Sequence, residues 1–209
     1  MGAAKLSLIN TLKRTLGNVI RPVYVNGETS FIFYIEKATT RVGHLSYGKI
    51  NVWSYQKGGN ISIGNYSSLG EINVIMGGNH HRNVSTFPFK VKLSDIDTSV
   101  DNIPIKGVSI ENDCWIGQGV NILDGVNVAT GTIVAAGSVV TRSTTPFSVV
   151  AGVPAKKIST RFTEEEINKL LNSKWWNIPV EKYMKIVPLL YSNDVNAFIR
   201  SIDIIRDSI

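Results

Sequence analysis

The chain has 209 residues, 43% hydrophobic and only 18% charged, which supports a buried core and excludes an intrinsically disordered chain. Subtracting 16 acidic from 22 basic residues leaves +6, a surplus that suits an anionic small-molecule partner and is too mild to indicate nucleic-acid binding. One cysteine, Cys114, excludes a disulfide framework and a thiolate-based zinc site and fits a reducing, cytoplasmic setting.

The first 20 residues place Leu6, Ile9, Leu12 and Leu16 on one helical face, with Lys5, Lys13 and Arg14 elsewhere. We read an amphipathic helix over 1–20 that packs on the protein. A signal peptide is not expected, because Lys13 and Arg14 interrupt the apolar run, and no stretch approaches the ~18 apolar residues of an integral membrane segment.

A period of six then dominates. Ile110, Ile116, Ile122, Val128, Val134 and Val140 are all aliphatic and six apart, and an earlier copy sets Ile63, Leu69 and Ile75 at the same spacing. Four places after most of these anchors stands a small or compact residue: Ser67, Cys114, Val120, Val126, Thr132 and Ser138. A long helix would not tolerate Gly117, Gly119, Gly125, Gly131 and Gly137, and an ordinary strand alternates by two and stops within about 10 residues. The pattern fits a solenoid of short parallel strands in which each aliphatic stacks on its counterpart one coil below and glycines make the turns.

Between Ile75 and Val108 the period vanishes, and the interruption holds Gly77, Gly78, Asn79, His80 and His81. A long excursion from a regular frame is where function is commonly built. Pro146 and the Gly-Val-Pro at 152–154 end the repeat. Thr163 with Glu166 then forms a capping box for a helix, and two more helices are expected after Pro179 and after Asn193. Their apolar faces are expected to cover the open end of the solenoid. The organisation is thus a helix over 1–20, a repeat domain over 42–158 with an active-site loop at about 76–107, and a helical cap over 159–209.

The hexads resemble those of the hexapeptide-repeat acyltransferases. The segments MGGNHHRNVSTFPF (Met76–Phe89), IENDCWIGQGVNILDGV (Ile110–Val126), AAGSVVT (Ala135–Thr141), VAGVPAKKI (Val150–Ile158) and RFTEEEINKLLNSKWW (Arg161–Trp176) look like the xenobiotic acetyltransferase subgroup, which includes type-B chloramphenicol and streptogramin acetyltransferases. The resemblance implies a mainly β protein folded as a left-handed parallel β-helix, a homotrimer, and acetyl-CoA as co-substrate.

Acyl transfer to a hydroxyl needs a base with a pKa near the working pH, and histidine is the natural choice. Of His44, His80 and His81, the resemblance assigns the base to His80 in the Asn-His pair. Adjacent side chains of extended backbone face opposite ways, so His81 belongs at the rim of the pocket. His44, in the weaker early rungs, reads as structural. The resemblance further places Trp115, Gln118, Ala136, Thr141, Arg142 and Lys156 along the cofactor, with Lys157 and Arg161 as possible additional cations. Acceptor contacts fall to Asn79, His81, Trp53, Tyr55 and Phe87, since aromatic faces suit both sugars and flat drugs.

No metal is expected, because no histidine follows His81 and the one thiol lies in a packing slot. Cys114 reads as core and not as nucleophile, so the acetyl group is expected to move directly. Gly78 stands where the drug-modifying relatives carry alanine, and the loop from Val91 to Val108 is shorter than theirs, which tilts the acceptor towards a saccharide-like hydroxyl. An antibiotic hydroxyl, an amino-sugar nitrogen and a non-catalytic binding solenoid are the alternatives.

Overall fold

The computed structural model describes residues 22–25, 28–31, 39–54, 59–77, 84–87, 104–178, 182 and 187–207. The expected N-terminal helix over 1–20 lies outside the described residues, as does most of the 76–107 loop.

The described part is mainly β with few helices. A two-stranded antiparallel pair, β1 (Pro22–Val25) and β2 (Glu28–Phe31), precedes the repeat. The repeat supplies β3 (Thr39–Val42), β4 (Tyr47–Ser54), β5 (Asn60–Ile63), β6 (Ser68–Met76), β7 (Val108–Ile110), β8 (Trp115–Ile116), β9 (Asn121–Leu123), β10 (Asn127–Val128), β11 (Ile133–Val134), β12 (Val139–Val140) and β13 (Ser148–Gly152). These strands pair in parallel. β3, β5, β7 and β10 form one sheet, and the others join a second sheet through β6.

The register explains the period. Asn127 pairs with Ser109, Ile133 with Trp115 and Val139 with Asn121, each three hexads apart. Anchors therefore stack on anchors: Ile110, Ile116, Ile122, Val128, Val134 and Val140 are at most 1% exposed. Each fully buried aliphatic of this size contributes about 1.5–3 kcal/mol of transfer free energy, and no single two-residue strand could bury its own. The compact slots are filled as the spacing predicts, with Ser67, Cys114, Val120, Val126, Thr132 and Ser138 all buried.

Two expectations need correction. Ile75 is not an anchor. Leu69 pairs with Ile116 but Val74 pairs with Ile122, so β6 covers in five steps what the later coil covers in six. Val74 consequently takes the core position at 0% exposure, and Ile75 pairs with Leu123 and is only half-buried. The parallel ladder also stops before 158. After β13 the chain reverses through Val153–Pro154 into β14 (Ala155–Thr160), which runs antiparallel to β13 and is exposed along most of its length.

The strands turn on a row of left-handed residues. Leu45, Tyr66, Asp113 and Phe147 have φ between 53° and 60°, and Gly131 has φ 73°. Hydrogen bonds link neighbouring turns: Tyr66 N donates to the His44 carbonyl, Asp113 N to the Asn65 carbonyl, Gly131 N to the Asn112 carbonyl and Phe147 N to the Thr130 carbonyl. Each turn residue precedes a small buried one: Ser46, Ser67, Cys114, Thr132 or Ser148.

The C-terminal helices pack on this row along the flank, and not over the end of the ladder as expected. Helix α1 (Glu164–Ser173) starts at Thr163 with the predicted capping box, Thr163 Oγ1 accepting from Glu166 N and Glu166 Oε2 accepting from Thr163 N. A 3₁₀ turn (Trp175–Asn177), a short α2 (Val187–Leu190) and α3 (Val195–Asp207) follow. Leu170, Trp175, Trp176, Ile178, Val195, Phe198, Ile202 and Ile205 form a second core with Phe147, and Tyr66 packs against it. Asn65 Nδ2 donates to the Trp176 carbonyl at 2.9 Å, tying the turn row to the helices. No described helix is long and apolar enough to cross a membrane.

Candidate functional site

The larger sheet carries outward columns set by register. Tyr47, Ser68, Trp115, Ile133 and Val149 occupy successive rows of one column. Trp115 stands on the two-residue β8 with Ile116 pointing inward, so alternation turns its indole outward, where it is 60% exposed. An exposed tryptophan on a rigid ladder offers an apolar face and one N–H donor. Below it, Ser68 Oγ donates to Tyr47 Oη at 2.7 Å.

The chain then turns a corner. Gln118 Oε1 accepts from Glu71 N at 2.9 Å, Gly119 N donates to the Glu71 carbonyl, and Gly137 N donates to the Gln118 carbonyl. Gln118 and Ala136 are therefore neighbours on adjacent coils, both exposed. Gly117 sits at this corner because a Cβ there would meet Ala136 N at 2.5 Å, so close approach excludes a side chain, and positive φ is not the reason. The amide oxygen of Gln118 is committed to the ladder. Ala151, one row on, pairs with Lys156 of β14. Trp115, Gln118 and Ala136 thus lie on adjacent coils of one flank, and β14 beside them carries Lys156 and Lys157.

Thr141 and Arg142 lie elsewhere. Val139 pairs with Asn121 and Val140 with Ile122, so Thr141 follows in the row beyond Leu123, on the face that also carries Trp53 through the Trp53–Ile75 and Ile75–Leu123 pairings. Within one chain these two residues are separated from the Trp115 strip by the Gln118 corner. Trp53 is 56% exposed and Phe87 53% exposed. Asn79, His80, His81 and Tyr55 lie outside the described residues. β6 ends at Met76, and Gly77 follows with φ 67°.

Sequence reasoning missed an asparagine ladder between the two faces. Asn51 Nδ2 donates to Asn73 Oδ1 and Asn73 Nδ2 to Asn121 Oδ1, at 3.3 and 3.1 Å. Lys49 pairs with Glu71 at 2.7 Å, and the hydrogen bonds from Lys49 and Asn51 hold the Glu71 carboxyl below its ordinary value. The signal was present as asparagines at matching register, but no six-residue phase reveals it across the shortened β6 hexad.

Arg161 does not join the basic strip. Its Nη1 donates to Asp113 Oδ2 at 3.0 Å and to the Gly131 carbonyl at 2.8 Å, and its guanidinium lies 5.4 and 5.3 Å from the ring centroids of Phe147 and Phe162. It staples the turn row to the segment entering α1. Cys114 is core. Its sulfur lies 3.3 Å from the Ala129 carbonyl, and burial, reinforced by Asp113 and Glu111, pushes its thiol up to about 12. His44 N accepts its place in the turn row by donating to Asn65 Oδ1 at 2.7 Å, and its ring meets Tyr66 edge-on, which is the structural role expected for it. No group of metal-ligating side chains occurs among the described residues.

Comparison with known proteins shows the family. A chloramphenicol acetyltransferase of Morganella morganii is 35% identical over 140 residues, covering 64% of this chain and 67% of that enzyme. A probable macrolide acetyltransferase of Lysinibacillus sphaericus is 37% identical over 142 residues, covering 65% of this chain and 79% of that protein. The chain belongs to the xenobiotic acetyltransferase family of hexapeptide-repeat proteins. As a member of that family it is an acyltransferase. A hexapeptide-repeat acetyltransferase of Vibrio cholerae, solved with acetyl coenzyme A, is 25% identical with a TM-score of 0.47, the match covering 60% of this chain and 62% of that one. No protein-family profile matches this chain.

Proposed function

We propose that this protein is an acetyl-CoA-dependent O-acetyltransferase that moves an acetyl group to a hydroxyl of a sugar or saccharide-like small molecule, with His80 as general base. The observation that carries the reading is the strip formed by Trp115, Gln118, Ala136 and Lys156. An extended pantetheine arm needs a narrow apolar run of small residues beside an aromatic face, and a nucleotide phosphate needs a cation at its end. The aromatic face of Trp115, the small Ala136 and the Lys156 cation support this reading. The parallel strands wind as a left-handed β-helix, and three copies associate. In a homotrimer a neighbouring subunit would close each strip into a slot, bringing Thr141 and Arg142 from a second face to the same donor. The division into a helix over 1–20, a β-helix domain over 42–158 whose last strand β14 runs antiparallel, and a helical unit over 159–209 belongs to this reading, as does a cytoplasmic location.

In the reaction, the neutral His80 imidazole takes the proton of the acceptor hydroxyl as its oxygen bonds to the thioester carbonyl carbon. The oxyanion collapses, the carbon–sulfur bond breaks, and the proton passes from the imidazolium to the leaving thiolate. Asn79, His81, Trp53, Tyr55 and Phe87 are the acceptor contacts. No metal takes part and no acyl-enzyme forms on Cys114.

The variant His80→Ala tests this. Turnover is expected to fall by roughly 10²–10⁴, with acetyl-CoA binding and melting temperature retained; near-normal turnover would remove the mechanism. A second reading, an antibiotic hydroxyl as acceptor, is favoured by the names of the chloramphenicol and macrolide relatives. Release of free CoA measured against chloramphenicol, a macrolide and a panel of sugars and nucleotide-sugars separates the two.

A further inference from the structure

The helical unit and the turn row enclose a cavity of about 500 Å³, away from the Trp115 strip. Its volume is that of a small-molecule site. The walls are aromatic and aliphatic, with Tyr66, Phe147, Trp175 and Phe198 the principal rings. One wall is rigid, because Tyr66, Asp113 and Phe147 are fixed by the backbone bonds between successive turns. It cannot collapse to fill the space as a flexible core would.

The charge in the cavity is one-sided. Asp113 and Asp194 contribute carboxylates, against the single cation Arg161 among the described lining residues. That cation is already spent on Asp113 Oδ2, on the Gly131 carbonyl and on two phenyl rings. Arg161 pairs with Asp113 through Oδ2, and desolvation still outweighs that guanidinium and lifts the Asp113 carboxyl above its ordinary value, so a further cation at the cavity would stabilise its charged form. Aromatic faces beside a poorly solvated carboxylate are what a desolvated ammonium group prefers.

We infer that this cavity is a second ligand site, distinct from the acetyl-transfer strip, and that it takes a small hydrophobic amine whose ring packs among Tyr66, Trp175 and Phe198 and whose ammonium faces Asp113. A hydrophobic acid of the same shape is disfavoured by the same charge.

Titration calorimetry of the full chain with naphthylmethylamine, naphthalene and naphthoate tests the inference. The amine is expected to bind saturably and more tightly than the hydrocarbon, and the carboxylate most weakly. Leu190→Trp and, at the rim, Ser192→Trp fill the cavity and should each weaken the amine by about tenfold or more, with thermal melts confirming that both variants are folded. Asp113→Asn should erase the preference of amine over hydrocarbon. Trp115→Ala, on the outer strip, should leave the affinity unchanged. Absence of saturable binding, equal binding of amine and carboxylate, full affinity in both folded tryptophan variants, or loss of affinity in Trp115→Ala would each overturn it. None of these readouts depends on acetyl transfer, so they fail or succeed separately from the assignment of His80.

Discussion

Arg161 and Asp113, 48 positions apart in sequence, are joined by a 3.0 Å Nη1–Oδ2 ion pair on the flank of the strand ladder. The same guanidinium nitrogen holds the Gly131 carbonyl, so one side chain spans two successive turns and the start of the helical unit. An arginine in the phosphate-rich neighbourhood expected of this segment is thereby turned to structural use. Arg161→Ala should destabilise the protein by about 2–4 kcal/mol, since it strands a desolvated carboxylate. The Michaelis constant for acetyl-CoA should stay unchanged. Arg161→Lys should recover only part of the loss, because an ammonium cannot stack between Phe147 and Phe162 while bonding both oxygens. Urea denaturation alongside steady-state kinetics separates the two roles.

Gly131 is where the turn row has no room. With φ 73°, a side chain there is strained, and its Cβ would press into the ring of Phe147. Gly131→Ala is expected to cost about 2–4 kcal/mol, combining left-handed strain with displacement of a packed ring. Gly119→Ala, with similar φ but open space around its Cβ, should cost only the strain component. Comparing their denaturation midpoints checks the difference.

Cys114 should behave as an inert methylene-sized filler. With its thiol at about 12, roughly one molecule in ten thousand carries a thiolate at pH 8. Reaction with a disulfide reagent should be slow in the native protein and immediate in urea. Cys114→Ala should keep turnover within about twofold while lowering stability by about 1 kcal/mol.

Glu111 gives stability a pH dependence. Burial alone would raise its carboxyl, but hydrogen bonds from Asn127 Nδ2, Thr130 N and Thr130 Oγ1 outweigh this and hold it below the ordinary 4.5. The folded state therefore binds fewer protons here than the unfolded state. Its contribution is present above pH 4.5 and is lost as pH falls through the lower folded value. Asp113, raised by desolvation, acts in the opposite sense. Glu111→Gln should flatten the acid limb of a stability–pH curve and leave it unchanged in shape near neutrality.

The repeat was legible in the sequence because its cause is local: every sixth residue meets an identical neighbour, so aliphatics recur at Ile110, Ile116 and Ile122 in a phase no helix or flat strand shares. The shortened hexad was not legible, since Ile72, Val74 and Ile75 are all aliphatic and only pairing with Ile122 decides which faces inward. The left-handed row at Leu45, Tyr66, Asp113 and Phe147 was hidden because Leu, Tyr and Phe are poor turn formers, and Asp113 alone marks no row. What marks them is the small buried residue that follows each. The outward indole expected of Trp115 is the exposed one that β8 presents. The separation of Thr141 and Arg142 from Trp115 and Gln118, and the capture of Arg161, depend on contacts between distant coils that spacing does not encode.

The ladder also closes over its own interruption. Ser62 pairs with Ser109 and Ser68 with Trp115, 47 residues apart, in the same parallel sense as coils 18 or 21 apart. The frame on either side stays in phase whatever length of chain departs between Gly77 and Val108. Evolution can therefore lengthen, shorten or rewrite that segment without disturbing the frame, as one swaps the bit in a drill without retooling the chuck.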